Sequence, residues 1–219
     1  MNISWSHSAL KQYETCPRQY HEIRVLKRYP RIPTEQTIYG EQLHEAAELY
    51  VKDGTALPPQ FAFIKGVLDA LMSKPGAKLP EVQMALTEAL QPCDWDSPYA
   101  WVRGVADLAI IDGTDAWVVD YKSGSNKYPD KDQLDLMSLM IFVLYPQVNV
   151  VRSALLFLLK NDMIKHKVTR EQSDTLWWKY RERVAKIESS LAHGVWNPKQ
   201  SGLCKRHCVV DTCEFCGGR

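Results

Sequence analysis

No stretch of this chain is apolar for long enough to cross a bilayer, so no membrane-spanning helix is expected. The opening residues, MNISWSHSALKQYETCP, lack a basic start followed by an apolar core. A secretory leader is therefore not expected, and the expected compartment is the cytoplasm, that of the host if the source is viral. Internal repeats and low-complexity segments are also missing. So is an excess of charge of one sign: 27 Lys and Arg stand against 26 Asp and Glu, a formal net charge of +1. A nucleic-acid partner would have to meet a local basic patch.

What the chain does have is a change of pattern partway along its 219 residues. The first third reads as helices. SHSALKQYETCP has Ser6 or Ser8 as N-cap and a stop before Pro17; TEQTIYGEQLHEAAELYVKDG and PPQFAFIKGVLDALMSKPG follow. EVQMALTEAL then alternates as a strand does. WVRGVADLAIIDG and DAWVVDYKSG read as two strands joined around Asp112-Gly113, a strong hairpin signal. DKDQLDLMSLMIFVLYP is an apolar helix ending at Pro146, VNVVRSALLFLLK a buried strand, MIKHKVTR its partner after a turn at Asn161-Asp162. EQSDTLWWKYRERVAKIESSLAHG is a long helix closed by Gly194. This order predicts an α/β fold: one mixed β-sheet flanked by helices. The expected divisions are a helical region over 1–80, a core over 81–195 and a cysteine-bearing tail over 196–219, all within one compact domain.

The chemistry concentrates on the hairpin. Asp107 and Asp120 are acids on adjacent antiparallel strands otherwise made of core residues. Burying two carboxylates without compensation is costly, and hard oxygen ligands suit Mg²⁺ or Mn²⁺. Lys122 lies two residues beyond Asp120, on the same face of the strand. There it can orient a water or stabilise charge on a phosphate. An isolated D-x-K is more often a plain ion pair; the second acid across the hairpin weakens that reading. A basic stretch interleaved with tyrosines, Arg18, Arg24, Lys27, Arg28 and Arg31 with Tyr20 and Tyr29, is a solvated surface or a nucleic-acid contact.

Six cysteines are unevenly spread. Cys204, Cys208, Cys213 and Cys216 crowd the last residues, Cys16 stands early, and Cys93 reads as an ordinary thiol. In a reducing compartment such a cluster points to a metal or iron–sulfur site rather than disulfides. Spacing alone favours zinc on Cys204, Cys208, Cys213 and Cys216.

Together these elements resemble the PD-(D/E)XK nucleases, in particular their RecB-like branch. A serine-led helix runs into Cys16-Pro17-Arg18. Gly40-x-x-x-His44 follows on a helix, then GVAD, VVDYKSG, a Gln-led helix in DQLDLM, and the cysteines of GLCKRHCVVDTC. The resemblance implies a restriction-endonuclease-like core and a Mg²⁺- or Mn²⁺-dependent deoxyribonuclease. It implies an exonuclease acting on single-stranded or end-exposed DNA in recombination, repair or replication. It implies that His44, Asp107, Asp120 and the carbonyl of Tyr121 hold the metal, that Lys122 is the catalytic lysine, and that Gln133 positions it. Glu81 is expected near the site. For the cysteines it implies a 4Fe–4S cluster on Cys16, Cys204, Cys208 and Cys213, fastening the tail to the first helix and leaving Cys216 spare. Arg18, Arg24, Lys27 and Arg28, with Lys199, Lys205 and Arg206, are expected to guide the strand. Two departures stand out: Ala106 replaces the proline of the family's name, and Met137 stands where a tyrosine often follows the glutamine. The alternative is a non-catalytic nucleic-acid-binding protein with a nuclease-derived fold.

Overall fold

Two residues, Gly113 and Thr114, turn the chain between the strands that carry the acids. Asp112 pairs with Asp115 across this loop, and Gly113, at φ +56°, takes the left-handed conformation that a two-residue hairpin turn requires. The computed structural model describes residues 4–30, 32–124 and 130–216. Arg31, within the basic stretch read above, lies outside the described residues.

The chain forms two compact units, one spanning Pro33–Leu176, the other drawing on the chain before and after it. The first is built on a five-stranded sheet in the order β1 (Ala77–Leu86), β2 (Val102–Asp112), β3 (Asp115–Lys122), β4 (Val150–Phe157), β5 (Asp162–Thr169). β3 and β4 are parallel and the other neighbours antiparallel, so the sheet is mixed, as expected. A parallel pair needs a crossover; here it is α5 (Asp132–Leu144). Nine consecutive residues of α5, Leu134 to Phe142, are buried, which is why the segment reads as apolar all round rather than amphipathic.

The other helices of this unit are α3 (Glu35–Asp53) and α4 (Lys65–Met72). Thr34 caps α3 by accepting from the Thr37 N–H, and Gly54 closes it at φ +76°. The expected third helix is instead a 3₁₀ segment, Pro59–Ile64, followed by α4. The prolines at its start withhold backbone N–H donors. Leu43, Ala47 and Val51 of α3 and Leu68 and Leu71 of α4 form one core cluster with Leu108, Ile110, Val119 and Tyr121. Along β3, Val119 and Tyr121 face these helices, so Val118, Asp120 and Lys122 face the opposite side. β1 begins at Ala77, four residues before the alternating pattern becomes legible, and passes through Pro80.

The second unit contains α1 (His7–Thr15), α2 (Pro17–Tyr20), a π-helical turn over His21–Val25 and most of α6 (Ser173–His193). Ser6 caps α1. Tyr13 joins α1 to α6 through its hydroxyl, which lies 2.7 Å from Ser190 Oγ and donates to the Lys186 carbonyl. Trp5 stacks on Tyr180, and Arg183 pairs with Glu14. Among the described residues no helix is long and apolar enough to cross a membrane.

Leu108 is fully buried, in the β2 position next to Asp107. Leu108→Ala should destabilise the protein by about 3 kcal/mol, read as a lower midpoint in denaturant unfolding with an unchanged slope.

Candidate active site

The sheet's hydrogen-bonding ladders are interrupted at one residue, Asp107. β2 pairs with β1 from Val102 to Ala106 and again from Leu108 to Ile111, skipping Asp107 and its opposite number Glu81. The ladder between β2 and β3 ends at Leu108 with Val119, so the next opposing pair, Asp107 and Asp120, is not formed. β3 meanwhile continues beside β4 to Lys122. The strands thus part at the two acids, and the carboxylates occupy the opening. Glu81 sits at φ +46°, a left-handed conformation that non-glycine residues rarely adopt and that costs on the order of 1–3 kcal/mol.

Two groups of side chains meet there. In the first, His44 Nδ1 lies 3.1 Å from Asp107 Oδ1, and the Tyr121 N–H donates to Asp107 Oδ2. Ligand atoms of His44, Glu81 and Asp107 all lie within 4.8 Å of one another. The His44 ring rests edge-on against Tyr121. In the second, Lys122 Nζ donates to Gln133 Oε1 at 2.9 Å, and Gln133 Nε2 donates to Asp120 Oδ1 at 2.5 Å. The amide is therefore oriented with its oxygen to the ammonium and its nitrogen to the carboxylate. Lys122 Nζ is also 2.5 Å from Asp120 Oδ2. That oxygen is buried and has no partner within hydrogen-bonding geometry. Lys122 is 33% exposed and Asp120 7%, so the ammonium faces the opening and the carboxylate backs it.

Gly40 explains the spacing in GEQLH. A Cβ there would stand 2.9 Å from Ser123 Oγ. One helical turn before His44, α3 therefore lies directly on the residue that follows Lys122.

The electrostatics show what is in short supply. Burial first, and then the charge of Asp107, push the Glu81 carboxyl up to about 7, with His44 opposing. Burial also raises the Asp120 carboxyl, Lys122 opposes, and Asp107 adds to the rise. For His44, burial disfavours the cation, but the hydrogen bond and charge of Asp107 outweigh it, so the imidazole is raised. The site holds more negative charge than its cations balance, and it compensates by favouring protons.

A divalent cation fits this arrangement. Two carboxylates and an imidazole converge there, while Asp120 Oδ2 is occupied by the Lys122 ammonium. Adjacent ligands on an octahedral ion with bonds of 2.1 Å stand about 3.0 Å apart, close to the His44–Asp107 separation of 3.1 Å.

The sequence reading placed Glu81 near the site without a role; the geometry puts it within the converging group. Asp120 is directed at Lys122 and Gln133, and Tyr121 contributes its N–H. Met137 is buried.

The basic residues near the start are largely engaged. Arg18 donates to the Thr212 carbonyl, Arg24 to Gln12 Oε1 and Ser8 Oγ, and Arg28 pairs with Glu22. Lys27 is exposed, as are Lys205 and Arg206; Lys199 donates to the Glu14 carbonyl. Cys16, Cys204, Cys208, Cys213 and Cys216 line one cavity of about 100 Å³ in the second unit. The expected cluster of ligands is not seen: among the described residues no three cysteine sulfurs lie within 4.8 Å of one another. A tetrahedral zinc site needs sulfurs about 3.8 Å apart.

The family model of the PD-(D/E)XK nuclease superfamily matches residues 4–216. The chain belongs to that superfamily, whose nucleases use divalent metals. Among solved structures it resembles a "Putative exonuclease" from Eubacterium rectale, with a TM-score of 0.52 and 11% identity over 92% of this chain and 86% of that one. That likeness supports the fold. The protein SSO0001 aligns at a TM-score of 0.48 and 14% identity over 98% of this chain and 87% of that one. No curated protein matches the chain.

The pH dependence of stability follows in sign. Glu81 and Asp120 have folded-state pKa values above their ordinary carboxylate values of 4.5 and 3.8, so across that interval the native state binds more protons than the unfolded chain. The contribution of a raised His44, ordinary value 6.5, is likewise present at low pH and lost as pH rises. In EDTA, the melting temperature should fall by a few degrees from about pH 5 to pH 8. Glu81→Gln should flatten that slope in differential scanning calorimetry.

The α3 contact gives a second expectation. Gly40→Ala should lower activity severalfold by displacing Ser123, and Ser123→Ala in the same chain should restore most of it in a kcat assay.

Proposed function

We propose that this protein is a Mg²⁺- or Mn²⁺-dependent deoxyribonuclease of the RecB-like kind, acting as an exonuclease on single-stranded or end-exposed DNA. The carrying observation is the Asp120–Gln133–Lys122 chain of contacts beside the converging ligands of His44, Glu81 and Asp107. His44, Asp107 and Glu81 would hold the cation, with Asp120 Oδ2 turned to it when Lys122 moves to substrate. When bound, the cation polarises a phosphoryl oxygen and acidifies water.

The chain's own residues supply the rest. Lys122 presents an ammonium at the opening, where it stabilises charge developing on the phosphate. Gln133 holds that ammonium by its oxygen and Asp120 by its nitrogen, fixing both before substrate arrives. A glutamate at position 133 would turn an acceptor toward Asp120 and lose this bridge. Asp107 is held by the Tyr121 N–H and by His44, so it retains its position even though both ladders skip it. Hydrolysis then joins the water oxygen to phosphorus and breaks one phosphorus–oxygen bond, leaving a phosphate end and a hydroxyl end.

A sulfur-bound centre, iron–sulfur in this reading and zinc in the alternative, would use the five-thiol cavity. That cavity supports the reading because thiols from both ends of the chain line it. A role in recombination, repair or replication belongs to the same proposal. A binding protein without turnover is favoured only by Met137, which brings no hydroxyl to the face of α5.

Asp120→Ala and Lys122→Ala should each reduce Mg²⁺- or Mn²⁺-dependent cleavage of labelled DNA by at least about 10³-fold, with unchanged circular dichroism. Gln133→Ala should cost about 10–100-fold. Ordinary turnover by the Asp120 or Lys122 variant would refute the assignment.

A further inference from the structure

One row of residues crosses the whole sheet at the end remote from the acids. Lys78 pairs with Ile110, Ile110 with Trp117, Trp117 with Arg152, and Arg152 with Lys167. Directly paired residues share a face. Ile110 belongs to the core under α3 and α4, and Trp117 packs against it, so the row lies on that side. Arg152 and Lys167 are exposed.

Trp117 is flanked by two cations. Lys74 Nζ stands 5.2 Å from its ring centre and the Arg152 guanidinium 5.8 Å. The next row on this face ends in Val119, Ala154 and Lys165, and the one after it in Tyr121, Leu156 and Met163. Lys167, Lys165 and Met163 thus form an exposed line along the edge strand. It leads toward the row of Tyr121, whose N–H holds Asp107. From Lys165 to that row is about 7 Å; Lys122, about 17 Å along the strand from the Trp117 row, points to the other face of β3, so the two faces meet only at the opening where β2 and β3 part.

The charge on this face is one-sided. Lys74, Lys78, Arg152, Lys165 and Lys167 are five cations. Asp112 and Asp115, paired with each other in the next row outward, are the acids beside them, and Asp115 is already bound to Arg152. On these sheet rows and the adjoining Lys74 the cations therefore outnumber the acids, Lys78 Nζ donating to the Lys74 and Gly76 carbonyls.

Lysines on an edge strand also prevent edge-to-edge pairing, and that would account for Lys165 and Lys167. It does not account for Lys74 beyond the end of α4, which lies against the Trp117 ring; Arg152, on an interior strand, pairs with Asp115 and lies against the same ring. Cations arranged around an aromatic are what a nucleic-acid backbone and its bases engage.

We propose that this face binds the phosphate backbone of the nucleic-acid strand whose end is processed at the acids, an inference that rests on the nuclease reading above. Phosphate contacts of this kind fix register and carry no sequence preference. Substrate would then be held over several nucleotides outside the catalytic opening, and short substrates would lose that hold.

The test uses the full chain carrying Lys122→Ala, so that binding is read without turnover. Affinity for a fluorescent single-stranded oligonucleotide is measured by anisotropy from low to moderate salt. Lys165→Ala/Lys167→Ala should weaken binding roughly tenfold at low salt and reduce the slope of log K against log salt by about 1.4. Lys165→Arg/Lys167→Arg should keep both. In the active chain the alanine pair should lower kcat/KM on a long strand and leave a mononucleotide nitrophenyl ester unaffected. If the parent chain cleaves DNA but the alanine pair changes neither slope nor kcat/KM, this face serves something else, such as an acidic protein, and the inference fails alone. If the parent chain neither binds nor cleaves any strand, the nuclease reading fails and takes this inference with it.

Discussion

Mutual repulsion of buried carboxylates is the constraint around which this structure is organised. Asp107, Asp120 and the half-buried Glu81 converge at the opening, where burial first and then the charge of Asp107 raise the cost of ionising both Glu81 and Asp120. The fold answers with positive charge and donors from separate elements: His44 from α3, Lys122 from the end of β3, Gln133 from the start of α5, and a backbone N–H from Tyr121. These offset only part of the negative charge. A small divalent ion is the group that completes the balance with the oxygen ligands present.

Holding acids together against that repulsion requires rigid supports. α3 and α4 are locked to one face of β3 by Leu43, Leu68, Val119 and Tyr121, while α5, buried along most of its length, holds the other. β2 and β3 are tied by their hairpin at one end and released at the other. The release begins at the acids, where backbone pairing would otherwise close the opening. The positive φ of Glu81 belongs to the same local departure from regular strand geometry, stabilised by ladder pairs on both sides of it.

Much of this was legible in the sequence because it depends on local signals. The Asp112-Gly113 turn fixes the hairpin, the hairpin register sets Asp107 against Asp120, and two-residue periodicity puts Lys122 beside Asp120. His44 and Gln133 lie 63 and 13 residues from their partners, and only a family resemblance brought them in. Glu81 was harder. It opposes Asp107 only in the register of β1 against β2, and the connection between those strands, residues 87–101, is too long to set a register. Its left-handed φ in an alternating segment leaves no trace in residue type. The basic stretch near the start shows a related limit: composition counts cations, whereas only the fold shows that Arg18, Arg24 and Arg28 have intramolecular partners.

Net charge hides the opposite case. Lys78, Trp117, Arg152 and Lys167 come from four different strands, and no window of sequence contains two of them as neighbours. They become one surface only because the sheet's order and registers align them. The same alignment sets a negative opening and a positive face on one rigid sheet. An anionic polymer is attracted to the face and repelled by the metal-free opening. The cation would remove that repulsion at the reacting phosphate, while the face acts on the phosphates behind it. On the proposed reading, binding and hydrolysis fall to different residues of one scaffold, so that each can change in strength without the other.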